Sequence, residues 1–228
     1  LLRGICSAAQ SAKAYSDLAE TCLAQLFPIV CKHLAERHGF APGKGAAVIA
    51  MGKLGSREMT VTSDLDLIVI YDGSEQGESD GKRPLLPGPY YARLTQSLIS
   101  ALTVETSEGR LYEVDLRLRP SGRKGPVAVA LSAFETYHRQ EAWTWEHLAL
   151  LRARVVAGTP EMLGATAAAL SAAQNLPLDA AQIRTDVVEM RARLAAANAA
   201  HDDFAWEVKL GRGRLLDIEL MLQAGALM

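Results

Sequence analysis

Two short apolar stretches near the middle of the chain limit the folds that it can adopt. The first, residues 46–51, consists of alanine, valine, isoleucine and methionine and is bounded by glycines. The second, residues 63–71, is apolar throughout from Leu67 onward. Stretches of this length predict strands buried on both faces, because such strands need no alternation of apolar and polar residues. We therefore expect a sheet in the interior that contains both.

Most of the remaining chain has helical periodicity. Apolar residues recur at spacings of three and four over residues 14–38, residues 90–102 and the chain after residue 131, which predicts helices there. Pro28 should kink or split the first of them. Strict alternation over residues 111–119 predicts a third strand. The expected fold class is α+β, with a small mixed sheet and flanking helices followed by a helical unit.

Glycines, prolines and charges mark the connections between these elements. They predict turns or loops at three places, which are residues 39–45, 52–56 and 73–89. The last of these is long enough to indicate a functional excursion on the surface.

The composition excludes several classes of protein. With 49% hydrophobic and 22% charged residues, the chain of 228 residues is an ordinary globular one. A net charge of −2 argues against a nucleic-acid-binding surface. Three cysteines without CxxC spacing predict neither a disulfide framework nor a zinc site, and no apolar run is long enough to span a membrane. We expect a cytoplasmic protein without nucleic-acid or membrane partners, cut from a longer chain.

Asp64 and Asp66 stand at the start of the second predicted strand. Side chains alternate along a strand, so both carboxylates should share one face at a separation of roughly 6.5 Å. Two such charges repel each other and resist burial unless a cation compensates them. A pair of Mg²⁺ ions is the arrangement that phosphoryl-transfer sites use. An isolated Asp-x-Asp is more often a solvated strand end, so the neighbouring sequence has to decide.

The turn at residues 52–56 stands eight residues before Asp64. Gly55 and Ser56 could offer backbone N–H groups and a hydroxyl to a triphosphate, although Gly-Ser alone fits any turn. Lys53 is either a phosphate contact or a surface cation. The Walker pattern is absent, because no Gly-Lys-Ser/Thr follows a four-residue spacer.

The third predicted strand carries a further set of charges. Alternation places Glu113, Asp115, Arg117 and Arg119 on one face. This face is either a salt-bridged surface or a third metal ligand followed by two cations aimed at phosphate oxygens. Together with Gly55-Ser56 and the paired aspartates, Asp115 forms a specific set.

That set resembles the signature of the DNA-polymerase-β-like nucleotidyltransferase superfamily. Five longer motifs are similar to the bacterial glutamine synthetase adenylyltransferase family: residues 51–59 (MGKLGSREM), 63–67 (SDLDL), 111–122 (LYEVDLRLRPSG), 141–147 (EAWTWEH) and 152–156 (RARVV). The similarity runs from about Ala46 to Gly158, which is half of the chain.

The resemblance implies a polymerase-β-like core at residues 46–158, between an N-terminal helical segment at residues 1–45 and a C-terminal helical unit at residues 159–228. It implies that Asp64, Asp66 and Asp115 hold Mg²⁺, and that ATP is the substrate.

The family's full-length enzyme has one half that adds AMP to glutamine synthetase and another that removes it. Residues 141–147 and Ser121 after Arg-Pro resemble the adding, C-terminal half. The implied reaction is transfer of AMP from ATP to a tyrosine hydroxyl of glutamine synthetase, with the PII signalling protein as a partner of the full-length enzyme. The alternatives are the removing half, which acts by phosphorolysis, and an inactive nucleotide-binding module.

Three further features have more than one interpretation. Of Trp143 and Trp145, we expect at least one to pack in the core. His147 could be a general base, but a structural histidine is the favoured interpretation. The family usually has a Gly-Gly pair near the end, whereas this chain has Gly211-Arg212-Gly213, so a nucleotide contact there is left open.

Overall fold

The computed structural model describes residues 4–73, 77–197 and 208–228. Within them, the strands are β1 (Ala46–Ala50), β2 (Leu65–Tyr71), β3 (Val114–Asp115), β4 (Ala128–Ala130) and β5 (Arg154–Gly158). The α-helices are α1 (Ala8–His38), α2 (Gly52–Gly55), α3 (Pro87–Thr103), α4 (Leu131–Gln140), α5 (Thr144–Leu150), α6 (Pro160–Gln174), α7 (Ala180–Ala197) and α8 (Leu215–Leu227). The architecture is α+β, as the sequence predicted.

A small mixed sheet forms the centre of the molecule. Its order is β3-β2-β1-β5, and β4 also pairs with β2. The central strand β1 is antiparallel to both β2 and β5, whereas β3 and β4 run parallel to β2 along the same edge. β1 is buried along its whole length, and β2 is buried except at two positions. The two apolar stretches are therefore the interior strands that their composition predicted.

The first helix packs against one face of this sheet. It begins at a capping box made by Ser7 and Gln10 and ends before Gly39, and Pro28 lies inside it without splitting it. Leu23 and Phe27 share one hydrophobic cluster with residues of β1, β2 and α3. The N-terminal helix is thus part of the same core as the sheet, and the predicted boundary at residue 45 stays a prediction.

The second half of the chain differs from the sequence-based expectation in two ways. The predicted third strand at residues 111–119 is only two residues long, because the chain turns away after Asp115 and returns as β4. The segment after residue 131 is not entirely helical, since β5 adds an edge strand beside β1. Strands this short carry too little periodicity to be recognised, and their pairing depends on residues far away in sequence.

The C-terminal helices complete the second layer. α6 packs against β5 and α4, and it contributes Met162 and Leu170 to the second hydrophobic cluster. α7 and α8 pack against each other and against α5. Of the stripe that runs along α7, Ile183 is buried while Val187 and Met190 are half-buried. Among the described residues, no helix is both long enough and apolar enough to cross a bilayer.

Candidate active site

Three carboxylates meet at the end of the sheet where β2 begins. Asp66 and Asp115 are register partners on the parallel strands β2 and β3, so their side chains project from the same face. Asp64 immediately precedes β2. One oxygen from each of the three carboxylates lies within 4.8 Å of the other two. The sheet therefore brings together the three aspartates that the sequence selected.

Asp66 is the aspartate of this cluster whose ionised form is disfavoured by its surroundings. Burial, together with the charges of Asp64 and Asp115, raises the pKa of Asp66 to about 6. The guanidinium groups of Arg117 and Arg152 act in the opposite direction but do not cancel the effect. A bound divalent cation would stabilise the ionised form of such a site.

Asp115 is held differently from its neighbour. Its Oδ1 accepts a hydrogen bond from the backbone N–H of Arg117 at 2.7 Å, and its Oδ2 accepts one from Nε of Arg117 at 2.6 Å. Burial alone raises the pKa of Asp115, but the bonds from Arg117 outweigh it and hold that pKa below its usual value. Both oxygens are thus occupied by one exposed arginine.

Arg119 does not share the face of Arg117, so the predicted alternation is wrong beyond Asp115. Its buried guanidinium donates to the carbonyl oxygens of Leu116 at 2.7 Å, Pro126 at 2.9 Å and Gly125 at 3.1 Å. The physical reason is that the chain leaves the sheet at residue 116, and the loop's orphaned carbonyls need a donor. Arg119 therefore stabilises this loop, and its N–H groups point at backbone carbonyls and not at a ligand.

The glycine turn before the aspartates is the short helix α2. It packs so closely on β2 that a Cβ added to Gly52 would lie 2.3 Å from Oδ2 of Asp66. The backbone N–H groups of Gly55 and Ser56 donate to Met51 and Gly52 within this turn, at 2.9 and 3.1 Å. The Ser56 hydroxyl is engaged as well, since it lies 2.7 Å from Oε2 of Glu58 and 3.1 Å from the carbonyl oxygen of Gly52, so a phosphate oxygen would have to replace one of these acceptors.

Two arginines that the sequence pattern does not assign to the site hold this turn. Nη2 of Arg152 lies 2.9 Å from the hydroxyl of Ser56 and 2.8 Å from a carboxylate oxygen of Glu58. Arg154 donates to the carbonyl oxygens of Gly55 and Leu54, both at 3.0 Å. Residues 152–156 form one of the five family-like motifs, but only the edge strand β5 explains their position beside α2.

Gly55 is required where α2 meets the segment before β5. A Cβ at this position would lie 1.7 Å from the carbonyl oxygen of Arg152, which is backbone and cannot move aside cheaply. Close packing against this backbone therefore explains why the predicted phosphate turn has a glycine at position 55. Lys53 is exposed on the same short helix.

The C-terminal helix also contacts this arrangement. Glu219 on α8 lies 3.5 Å from Nη1 of Arg152. Asp217, two residues earlier, pairs with Arg191 on α7 and accepts the N–H of Gly213 at 2.6 Å. The described part of the loop after Gly211 is therefore tied to α8 and α7, whereas Glu219 reaches the residue that holds Ser56.

The remaining singled-out residues lie outside the cluster. Trp143 and Trp145 are 69% and 41% exposed, so the expectation that one packs in the core is wrong. His147 is buried beside His138, with ring centroids 5.9 Å apart. Burial lowers the pKa of both histidines. His147 is thus a neutral core residue.

The donor set fits magnesium. All three side chains offer carboxylate oxygens, which are the hard ligands that Mg²⁺ takes, and one or two carboxylates with substrate phosphates are its usual protein partners. Burial, and after it the charges of Asp64 and Asp115, raise the pKa of Asp66, and a bound cation would oppose both effects. A small mixed sheet with flanking helices and three acidic side chains at one end is the architecture of an α+β nucleotidyltransferase core.

Comparison with known proteins identifies the family. The sequence profile described as glutamate-ammonia ligase adenylyltransferase matches residues 2–169. The chain belongs to this family. It is 46% identical, over all 228 residues, to the bifunctional glutamine synthetase adenylyltransferase/adenylyl-removing enzyme of Mesorhizobium japonicum. It is 48% identical to the enzyme of that name from Rhodopseudomonas palustris over 224 residues, or 98% of the chain. The chain spans 22–23% of the length of these relatives.

Proposed function

We propose that this chain transfers AMP from ATP to a tyrosine hydroxyl of glutamine synthetase and releases pyrophosphate. The observation that carries the proposal is the convergence of Asp64, Asp66 and Asp115 beside the turn that ends at Ser56. Membership of the glutamate-ammonia ligase adenylyltransferase family supports the protein substrate, because the relatives are named glutamine synthetase adenylyltransferase/adenylyl-removing enzyme.

Each part of the site has a role in this proposal. Asp64, Asp66 and Asp115 would hold the magnesium ions. When bound, magnesium supplies positive charge to a triphosphate and lowers the pKa of an attacking hydroxyl, which for a free phenol is about 10. The Ser56 hydroxyl and Arg152 would bind phosphate oxygens, with Gly55 allowing the close packing that places them. Lys53 is a further candidate contact, since it is exposed on the same turn.

Arg117 is an exposed cation of the site and would neutralise phosphate charge. It has to release Oδ2 of Asp115 before that oxygen can bind a metal ion or accept a phenolic proton, because the two are paired in this structure. Arg119 was the other arginine proposed from the sequence. With its guanidinium on backbone carbonyls, we assign it to the loop and leave nucleotide contact to Arg117 and Arg152.

The direction of the reaction, which is either addition or removal of AMP, is a separate part of the proposal. Residues 141–147 and Ser121 favour the adding half by their resemblance. The relatives carry both activities in one name, so the removing half is the second candidate. We further propose that the protein works in the cytoplasm, that PII acts through the full-length enzyme, and that neither nucleic acid nor a membrane is a partner.

A pair of incubations tests the direction. In the first, the chain is mixed with α-labelled ATP, Mg²⁺ and unmodified glutamine synthetase, and label on a tyrosine is expected. In the second, it is mixed with adenylylated glutamine synthetase and phosphate, and little ADP is expected. ADP release without labelling would assign the chain to the removing half, and binding of ATP without either product would indicate an inactive module.

A further inference from the structure

A strongly basic cavity lies at the end of the sheet opposite the aspartates. Three arginines line it: Arg37 from the last turn of α1, Arg83 from the loop before α3, and Arg93 from α3. Its volume is about 580 Å³. α1 and this loop adjoin the end of the sheet where Ala46 pairs with Tyr71. Asp66 lies near the other end of β2. Seven strand residues separate the two ends by about 20 Å.

A buried histidine fixes two of these arginines. His38 is 4% exposed, and its Nδ1 lies 2.6 Å from the carbonyl oxygen of Arg83. Its Nε2 lies 3.3 Å from Nη1 of Arg93. A guanidinium can only donate, so Nε2 accepts, and Nδ1 carries the proton that is donated to Arg83. One neutral ring therefore orients the Arg93 side chain and the Arg83 backbone together.

The loop that carries Arg83 is bound firmly to the end of α1. The N–H of Arg83 donates to the carbonyl oxygen of Arg37 at 3.2 Å, and the N–H of Gly81 donates to that of His38 at 3.1 Å. Asp80 accepts the N–H of Phe40 at 2.6 Å. The cavity wall is thus built from hydrogen-bonded backbone and is not an accident of side-chain placement.

Although Asp80 lies in the adjoining loop, where it accepts the N–H of Phe40, the three arginines of this cavity have no carboxylate partner among the residues that the structure describes. No acidic side chain lines it, and within residues 4–73, 77–197 and 208–228 no carboxylate pairs with Arg37, Arg83 or Arg93. Other arginines of the chain, such as Arg152 and Arg191, do have carboxylate partners. The helix dipole of α1 favours cations near its end. However, it explains neither Arg93, which α3 contributes, nor the cavity between the three side chains.

We propose that this cavity binds a small, multiply charged anion that carries phosphate or carboxylate groups, at a site separate from the aspartates. Guanidinium groups bind such oxygens through paired hydrogen bonds. The neutral donors Gln96 and Ser97 line the same wall. The volume lies in the range of small-molecule sites. This site goes beyond the proposed transfer reaction, which needs none of these residues.

Titration calorimetry in metal-free buffer tests the proposal with two probes, pyrophosphate and citrate. The test variant combines Arg37→Gln, Arg83→Gln and Arg93→Gln. The matched control combines Arg139→Gln, Arg184→Gln and Arg193→Gln, which removes the same charge from exposed positions elsewhere. We expect the wild-type chain to bind at least one probe, the test variant to lose about tenfold or more in affinity, and the control to keep it.

The outcomes separate the explanations. Preference for pyrophosphate identifies a phosphate ligand, and preference for citrate identifies a carboxylate ligand. Equal losses in test and control variants, or no binding of either probe by the wild-type chain, would overturn the proposal. If the triple variant does not fold, Arg93→Gln alone should still lose about threefold or more, and an unchanged affinity would contradict the site. AMP transfer by the triple variant at saturating ATP should match the wild type, so failure here is distinct from failure of the proposed function.

Discussion

The guanidinium of Arg152 donates a hydrogen bond to the hydroxyl of Ser56 at 2.9 Å. Ninety-six residues of sequence separate the two side chains, and the edge strand β5 brings them together by pairing with β1. The same guanidinium pairs with Glu58 and with Glu219 on α8. Arg152 therefore links the phosphate turn to the C-terminal helices.

Replacing Arg152 by Gln should reduce transfer more than it reduces stability. The side chain is partly exposed, so its ion pairs contribute little to folding. A charge-assisted bond to phosphate that is lost costs about 1.5–3 kcal/mol, or roughly 10- to 100-fold in kcat/KM for ATP. Steady-state kinetics measure this, with Arg193→Gln as the exposed-arginine control. An unchanged kcat/KM for Arg152→Gln would remove Arg152 from the site.

Asp64→Asn should abolish transfer and yet stabilise the metal-free chain. Removing one of three crowded carboxylates relieves repulsion, and functional sites of this kind commonly cost a protein about 1 kcal/mol. For a chain of this size that corresponds to a rise in Tm of about 2–4 °C. Thermal unfolding without divalent ions measures it. A lower Tm would indicate that Asp64 supports the fold instead.

The metal-free chain should gain stability from Asp66 as the pH falls from about 6 to about 4. The pKa of Asp66 is raised to about 6, whereas an aspartate in the unfolded chain titrates near 3.8. The folded state therefore binds the proton more tightly between these values, and its free energy of unfolding decreases as the pH rises through 6. Urea titrations across this range measure the effect, and Asp66→Asn should lack this component.

His138 contributes with the opposite sign and needs a separate control. Burial, assisted by His147, lowers the pKa of His138 to about 4. The unfolded chain then binds more protons below about 6.5, so stability from this residue is lost as the pH falls toward 4. The wild-type chain and Asp66→Asn both keep His138, so the difference between their two stability profiles against pH removes the contribution of this histidine. Identical profiles would contradict the assignment to Asp66.

Arg117 and Arg119 should separate into one functional and one structural residue. Arg119→Ala leaves backbone carbonyls of the loop at residues 116–126 without a donor, and we expect a loss of about 2–3 kcal/mol in the free energy of unfolding. Arg117 is exposed, so Arg117→Ala should change stability by less than about 0.5 kcal/mol while it reduces transfer. Chemical denaturation of both variants provides the comparison. Equal destabilisation would show that the two arginines do not differ in this way.

The sequence predicted the parts of the site that depend on local pattern. Two aspartates two residues apart in an apolar strand, an acidic residue in a second alternating segment, the Gly55-Ser56 turn and the family resemblance together selected Asp64, Asp66 and Asp115, whose carboxylates do lie close together. Alternation misassigned Arg119, because a strand interrupted after Asp115 has no local signal for its end. The sequence could not predict that Arg152 contacts Ser56, because only the pairing of β5 with β1 brings the two residues together.

The sequence could not predict the basic cavity for a similar reason. Arg37, Arg83 and Arg93 stand in three separate segments, and the overall charge of −2 gives no hint of a local excess. Their proximity follows from the docking of a loop on the end of α1. Tertiary contacts of this kind leave no periodic pattern in the chain.

The most direct test of the central claim is transfer of label from α-labelled ATP to glutamine synthetase by the wild-type chain and by Asp66→Asn, each with and without Mg²⁺. We predict label on a tyrosine only for the wild-type chain with Mg²⁺, with circular dichroism confirming that Asp66→Asn remains folded. Near-normal labelling by Asp66→Asn, or labelling by the wild-type chain without divalent ions, would contradict the assignment of the three aspartates to a catalytic metal site.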